Sequence, residues 1–208
     1  MRRLICTVSV SIVLGSMAFD VAQAGPLEDG WAAVQHSDYA EALRIWLPLA
    51  NQGNAQAQAD VGWLYESGLG VPEDCKAAMS WYHKAAELGL PIAQYDLFKM
   101  YWSGGCVPID KPQAIRWVSV AAAHGLDQAQ FSLGSMYASG EGVPQDDVKA
   151  YCWFTLAITR LSSNDLYYAH NRAELERRRE TIAKKMTAAQ ITEAQREAAN
   201  WIPRVGAP

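Results

Sequence analysis

Four histidines and the three cysteines that follow Cys6 are where metal or nucleophilic chemistry would start in this chain. A zinc site needs such ligands at short, paired spacings. His36, His83, His124 and His170 are scattered, and Cys75, Cys106 and Cys152 lie far apart. Acid–base work needs two carboxylates held together. Glu66 and Glu141 fall near loop-like stretches, but the sequence ties no second carboxylate to either, so a pair would have to assemble between distant segments. There is no Gly-x-x-x-x-Gly-Lys phosphate loop, His-Glu-x-x-His helix or Gly-x-Ser-x-Gly elbow. The expectation is a protein that is not an enzyme, with no catalytic residue, no metal and no cofactor.

What remains is contact chemistry. Tyr95, Lys99 and Trp102 stand at i, i+4 and i+7, one stripe of a helix. Trp63 and Glu66 occupy matching places earlier in the chain, and Phe131 does so later. Tyrosine and tryptophan offer large, rigid contact area with few rotors to freeze, which suits a binding surface. Trp63, Tyr95, Trp102 and Phe131 would form an aromatic floor, with Glu66 and Lys99 as polar anchors.

The elements that must position this stripe announce themselves by repetition. Gly68, Gly104 and Gly140 are 36 residues apart, as are Val71, Val107 and Val143, and Pro72, Pro108 and Pro144. Tyr65, Tyr101 and Tyr137 keep the same step, as do Ala57, Ala93 and Ala129. Trp81, Trp117 and Trp153 form a further column, and Ala42, Ala78, Ala114 and Ala150 another. Within one period Ala93, Leu97 and Tyr101 mark the packed face of a first helix, ended by Gly104. Asp110 caps a second helix, whose packed face is Ala114, Trp117 and Ala121. Helix pairs of this size bury their apolar faces only by stacking. The glycine strings recur with the period, so they read as turns rather than phosphate cradles.

The run from Ala129 through Gly134, Tyr137, Gly140, Gly142, Val143 and Pro144 to Asp147, Ala150 and Trp153 resembles the Sel1-like repeat, a relative of the tetratricopeptide repeat. The first repeat matches at Leu64-Tyr65 and at Gly68-Leu69-Gly70-Val71-Pro72. The middle repeat departs, with Cys106 for the second loop glycine and Phe98 where Gly62 and Gly134 stand. The resemblance implies an all-α fold, a right-handed α-solenoid of stacked antiparallel helix pairs. It also implies a groove in which a partner segment lies along the aromatic stripe.

The expected organisation is a signal peptide at 1–24, a repeat solenoid at 25–160 and capping helices at 161–208. Within the solenoid, 27–54 is a degenerate first pair and 55–90, 91–126 and 127–160 are full repeats. Met1-Arg2-Arg3, an apolar run to Phe19 and Ala22-Gln23-Ala24 form the three-part secretory pattern, so export to a periplasm is expected. Two states of the cysteines are compatible with an exported chain: one bridge, Cys75–Cys106, or three packed thiols. In the tail, Asn164-Asp165 offers a helix start, and Thr187 with Gln190 forms a capping-box pattern. A net charge of −4 and a pI near 5.6 argue against nucleic-acid binding. The function expected is protein–protein scaffolding or regulation, with an envelope protein or membrane sensor as partner. The alternative is binding or modification of cell-wall peptidoglycan or polysaccharide.

Overall fold

The computed structural model describes residues 25–160 and 166–203. The expected signal peptide and the Asn164-Asp165 helix start lie outside the described residues. Ten helices and no strands occur among those described: α1 (Pro26–Gln35), α2 (Tyr39–Asn51), α3 (Ala55–Ser67), α4 (Cys75–Glu87), α5 (Pro91–Ser103), α6 (Lys111–Ala123), α7 (Asp127–Ser139), α8 (Asp147–Arg160), α9 (Leu166–Ala183) and α10 (Ala188–Asn200). From α1 to α9 each helix packs on its chain neighbours, and α10 returns to α8, so the described residues form an all-α solenoid with a helical cap.

Recurrent polar groups set the helix ends. Gly68, Gly104 and Gly140 close the first helices in the left-handed region, with φ of 64°, 72° and 76°. Across the loop, the amides of Asp74, Asp110 and Asp146 each donate to the carbonyl of Tyr65, Tyr101 or Tyr137 at 2.9 Å. The same aspartates then accept from backbone amides of the next helix, each cap adding about 1 kcal/mol. A buried glutamine serves the opposite end. Gln58, Gln94 and Gln130, again 36 apart, donate to the carbonyls of Ala50, Ala86 and Ala122 at 3.0, 3.1 and 3.2 Å. Those carbonyls lie in the last turns of α2, α4 and α6, where the helix supplies no partner. This column was not among those read from the sequence.

The four small-residue positions Ala42, Ala78, Ala114 and Ala150 are fully buried, as expected for close helix approach. The tryptophan column does not keep throughout the packed place expected of Trp117. Trp117 is buried, but Trp81 and Trp153 are only half-buried, with the Lys84 ammonium over Trp81 and Trp201 edge-on to Trp153. The core column is one residue further on: Trp46, Tyr82, Val118 and Phe154, all buried. One residue turns a helix by about 100°, which moves the preceding tryptophan toward the edge of the interface.

That column explains Phe98. A Cβ on Gly62 would sit 2.9 Å from the Tyr82 ring, and one on Gly134 would sit 2.9 Å from Phe154. In the middle repeat the bulk changes sides, with Phe98 on the first helix and Val118 in the register of Tyr82 and Phe154. The bulky residue at the glycine position is matched by a smaller one at the ring position, and both are buried. The degenerate first pair obeys the same rule: a Cβ on Gly30 would strike Trp46 at 2.0 Å. Its connection is four residues shorter than those of the later repeats, so Gly30 and Trp31 align with Gly62 and Trp63.

Candidate binding face

The first helices of the pairs present adjoining depressions. The first, about 240 Å³, lies among α1, α3, α4 and α5. Trp63, Glu66 and Lys99 of the expected stripe line it together, joined by Trp31, Asp60, Tyr82 and Asp96. A second, about 210 Å³, is lined by Trp102 and Phe131, with Phe98 and Glu141. A third, about 410 Å³, shares Ser135 and Ser139 with the second and carries Arg177, Arg178 and Lys185.

Five of the six stripe residues therefore divide between two depressions, and Tyr95 lines neither. Its hydroxyl meets Ser132 Oγ at 3.1 Å and its ring packs on Phe98 at 5.3 Å. It braces α5 against α7 more than it offers a free face. Trp102 and Phe131 are also engaged: the Lys111 ammonium stands 3.2 Å from the Trp102 ring centre, and the Arg178 guanidinium 5.1 Å from that of Phe131. A partner would have to share or displace these cations. Lys111 also pairs with Glu141 at 3.6 Å.

The first depression has the more distinctive chemistry. Trp31 stacks on Trp63 with centroids 6.0 Å apart and is 42 % exposed. Tyr82 donates its hydroxyl proton to Glu66 Oε2 at 2.6 Å. Burial, with Asp96, Glu66 and Asp60 around it, holds the phenol well above its ordinary range, so it stays a donor. Lys99 pairs with Asp96 at 2.6 Å. Burial pulls the Lys99 ammonium down, but Asp96, Glu66 and Tyr95 outweigh it and hold it above its usual value. Burial raises the Asp96 carboxyl, against the opposing pull of Lys99. Asp60 is only 5 % exposed, and burial lifts its pKa to about 6, partly offset by the Gln56 amide donating to Oδ1 at 2.9 Å. Asp60 Oδ2 has no hydrogen-bond partner.

Three carboxylates thus meet where the sequence had tied none to Glu66. The missed signal is a polar column: Asp60 and Asp96 are 36 apart, with Ser132 third. Trp31 was hidden by the short first connection. His83 is part of the inter-repeat packing. Its Nε2 lies 3.2 Å from the Tyr101 hydroxyl and its ring is edge-on to Trp117.

Away from this face, Cys75 and Cys106 form a disulfide, their Cα atoms 5.3 Å apart. Cys152 is a buried free thiol whose pKa burial, and next Glu197, push up to about 11. Among the described residues the grouping with metal-ligand spacing is Glu73, Cys75 and Cys106, and the bridge already uses both sulfurs. In the cap, Arg177 and Arg178 both pair with Glu174, and Arg179 lies over Tyr151. The Thr187–Gln190 capping box forms as expected.

The Sel1 repeat family model matches residues 55–90, 91–126 and 127–160, the three periods seen in the helix pairs. The chain belongs to the Sel1 repeat family. Sel1 repeats generally mediate protein–protein interaction, and the family is typically non-catalytic. A Sel1 repeat protein from Oxalobacter formigenes is similar at 28 % identity and TM-score 0.61, over 64 % of this chain and 55 % of that one. The c5321 protective antigen of uropathogenic Escherichia coli, described as displaying an SLR fold, shares 28 % identity over 85 % of this chain and 44 % of its own, with TM-score 0.45. This Sel1 chain spans about half the length of those two structures. No curated protein sequence matches it.

Proposed function

We propose that this Sel1 repeat protein is an exported, non-catalytic scaffold that binds a segment of an envelope protein along the first-helix face. The observation that carries this reading is the series of adjoining depressions on α1, α3, α5, α7 and α9, walled by Trp31, Trp63, Trp102 and Phe131. Family membership supports a protein partner. The secretory pattern of residues 1–24 supports export, and no described helix is long and apolar enough to cross a membrane.

One observation favours the cell-wall alternative. Three carboxylates beside two tryptophans also suit a sugar, whose ring stacks on an indole and whose hydroxyls donate to acids. As a catalytic pair, however, these acids are poorly placed to act freely, since Glu66 accepts from Tyr82 and Asp96 holds Lys99. Affinity capture from an envelope extract, with mass-spectrometric identification, separates the two. A reproducible protein partner, lost in both Trp63→Ala and Trp102→Ala variants that keep their helical spectrum, is expected. Each hot-spot truncation should cost about 2 kcal/mol or more. Capture indifferent to both substitutions, or recovery of glycan alone, overturns the scaffold reading.

A further inference from the structure

We propose that the depression between Trp31 and Trp63 is a specificity pocket for one basic side chain, lysine or arginine, of the bound partner segment. This rests on the first-helix face being a partner groove.

The argument begins with Asp60. It is nearly fully buried, lines the pocket, and leaves Oδ2 without a hydrogen-bond partner. An unpaired buried carboxylate oxygen is costly and calls for a donor. Three of the pocket's donors are already engaged: the Gln56 amide on Asp60 Oδ1, the Tyr82 hydroxyl on Glu66 and the Lys99 ammonium on Asp96. Three carboxylates against one ammonium leave the pocket negative. A neutral sugar would leave that excess charge uncompensated, whereas a guanidinium or ammonium would cancel part of it. The stacked indoles of Trp31 and Trp63 add a favourable face for a cation. Size agrees, since about 240 Å³ lies below the roughly 300–1,000 Å³ of sites that enclose a whole small ligand. It suits the end of one long side chain.

The test titrates the purified protein with the capped tripeptide acetyl-Gly-Arg-Gly-amide and with its citrulline counterpart, which keeps the shape and loses the charge. The readout is the indole N–H resonances of Trp31 and Trp63. Saturable shifts of both are expected with the arginine peptide, and binding about tenfold weaker or worse with citrulline and in the Asp60→Asn variant. Trp102→Ala should leave this titration unchanged. Equal binding of the citrulline peptide, full binding by Asp60→Asn, or no saturable shift overturns the pocket. So does a neutral chitin oligosaccharide that moves the same two indoles in place of the arginine peptide. If partner capture survives Asp60→Asn but is lost in Trp102→Ala, the pocket assignment fails while the groove stands. If capture survives every substitution, the groove itself fails.

Discussion

Asp60 holds a charge in a place that does not favour it. Burial raises its pKa from 3.8 to about 6, with Gln56, Tyr82, Glu66, Asp96 and Lys99 facing it in the same pocket. The folded state therefore holds the Asp60 proton more tightly than the unfolded chain does. The stability this adds is complete below the unfolded value near 3.8 and disappears as pH rises through about 6. Asp60→Asn should accordingly raise the melting temperature at about pH 7.5, by up to ~3 kcal/mol of stability, and make no difference near pH 4. Thermal unfolding of both proteins across that range checks it. A difference independent of pH would mean that the carboxylate is not held against its own ionisation. A residue that costs stability where a partner would sit is what binding sites often contain. From the sequence, Trp63, Glu66 and Lys99 were legible because helical spacing placed them on one stripe. Asp60 and Asp96 were not, because their significance lies in what burial does to a carboxylate, and spacing carries no record of burial.

Between helices, volume is conserved while sequence is not. Glycine faces a large ring in the first and third repeats, and in the second Phe98 holds the glycine position with Val118 in the register of the ring. The departure at Phe98 was visible in the sequence, but its compensation at Val118 was not, since the pair spans two helices and a loop. Reversing the exchange tests the account. Val118→Tyr alone should overpack the fully buried site by about 1–3 kcal/mol. Phe98→Gly alone should open a cavity and cost about 3–5 kcal/mol. Together they recreate the arrangement of the neighbouring repeats, so the double variant should be more stable than the sum of the two losses predicts. Chemical denaturation of the four proteins gives the coupling directly. Simple additivity would show that these positions do not share a packing site. The same reasoning explains the first pair: its helices were legible, but the four-residue shortening of its loop concealed that Gly30 and Trp31 keep the register of Gly62 and Trp63.

At the scale of the whole chain, the first-helix face changes character along its length, from carboxylates at α3 and α5 to Arg177 and Arg178 on α9 and Lys185 just beyond its end. A segment bearing a basic residue at one end and an acidic one at the other would lie along it in one direction only. What fixes the distance between such ends is the stacking of repeats, each in contact with its neighbours, so stability is close to a sum of interfaces. One interface is covalent, and the repeat register shows why. A Cβ on Gly70 would lie 2.6 Å from the Tyr39 backbone, so that loop position touches the first residue of the preceding second helix. One period on, the same two positions are Cys106 and Cys75. The bridge spans a sequence separation of 31, and closing such a loop stabilises by roughly 3–4 kcal/mol in the chain-entropy view. Reduction should lower the melting temperature, and the loss should fall on the contact between α4 and α5 rather than on the cap. Calorimetry with and without reductant, paired with hydrogen exchange, reads both. The Cys106→Ser variant should reproduce the reduced protein and be insensitive to reductant, because Cys152, the other described cysteine, is already a free buried thiol. A melting curve unmoved by reduction would show that stacking alone holds this interface, with the bridge contributing nothing to the register of the groove.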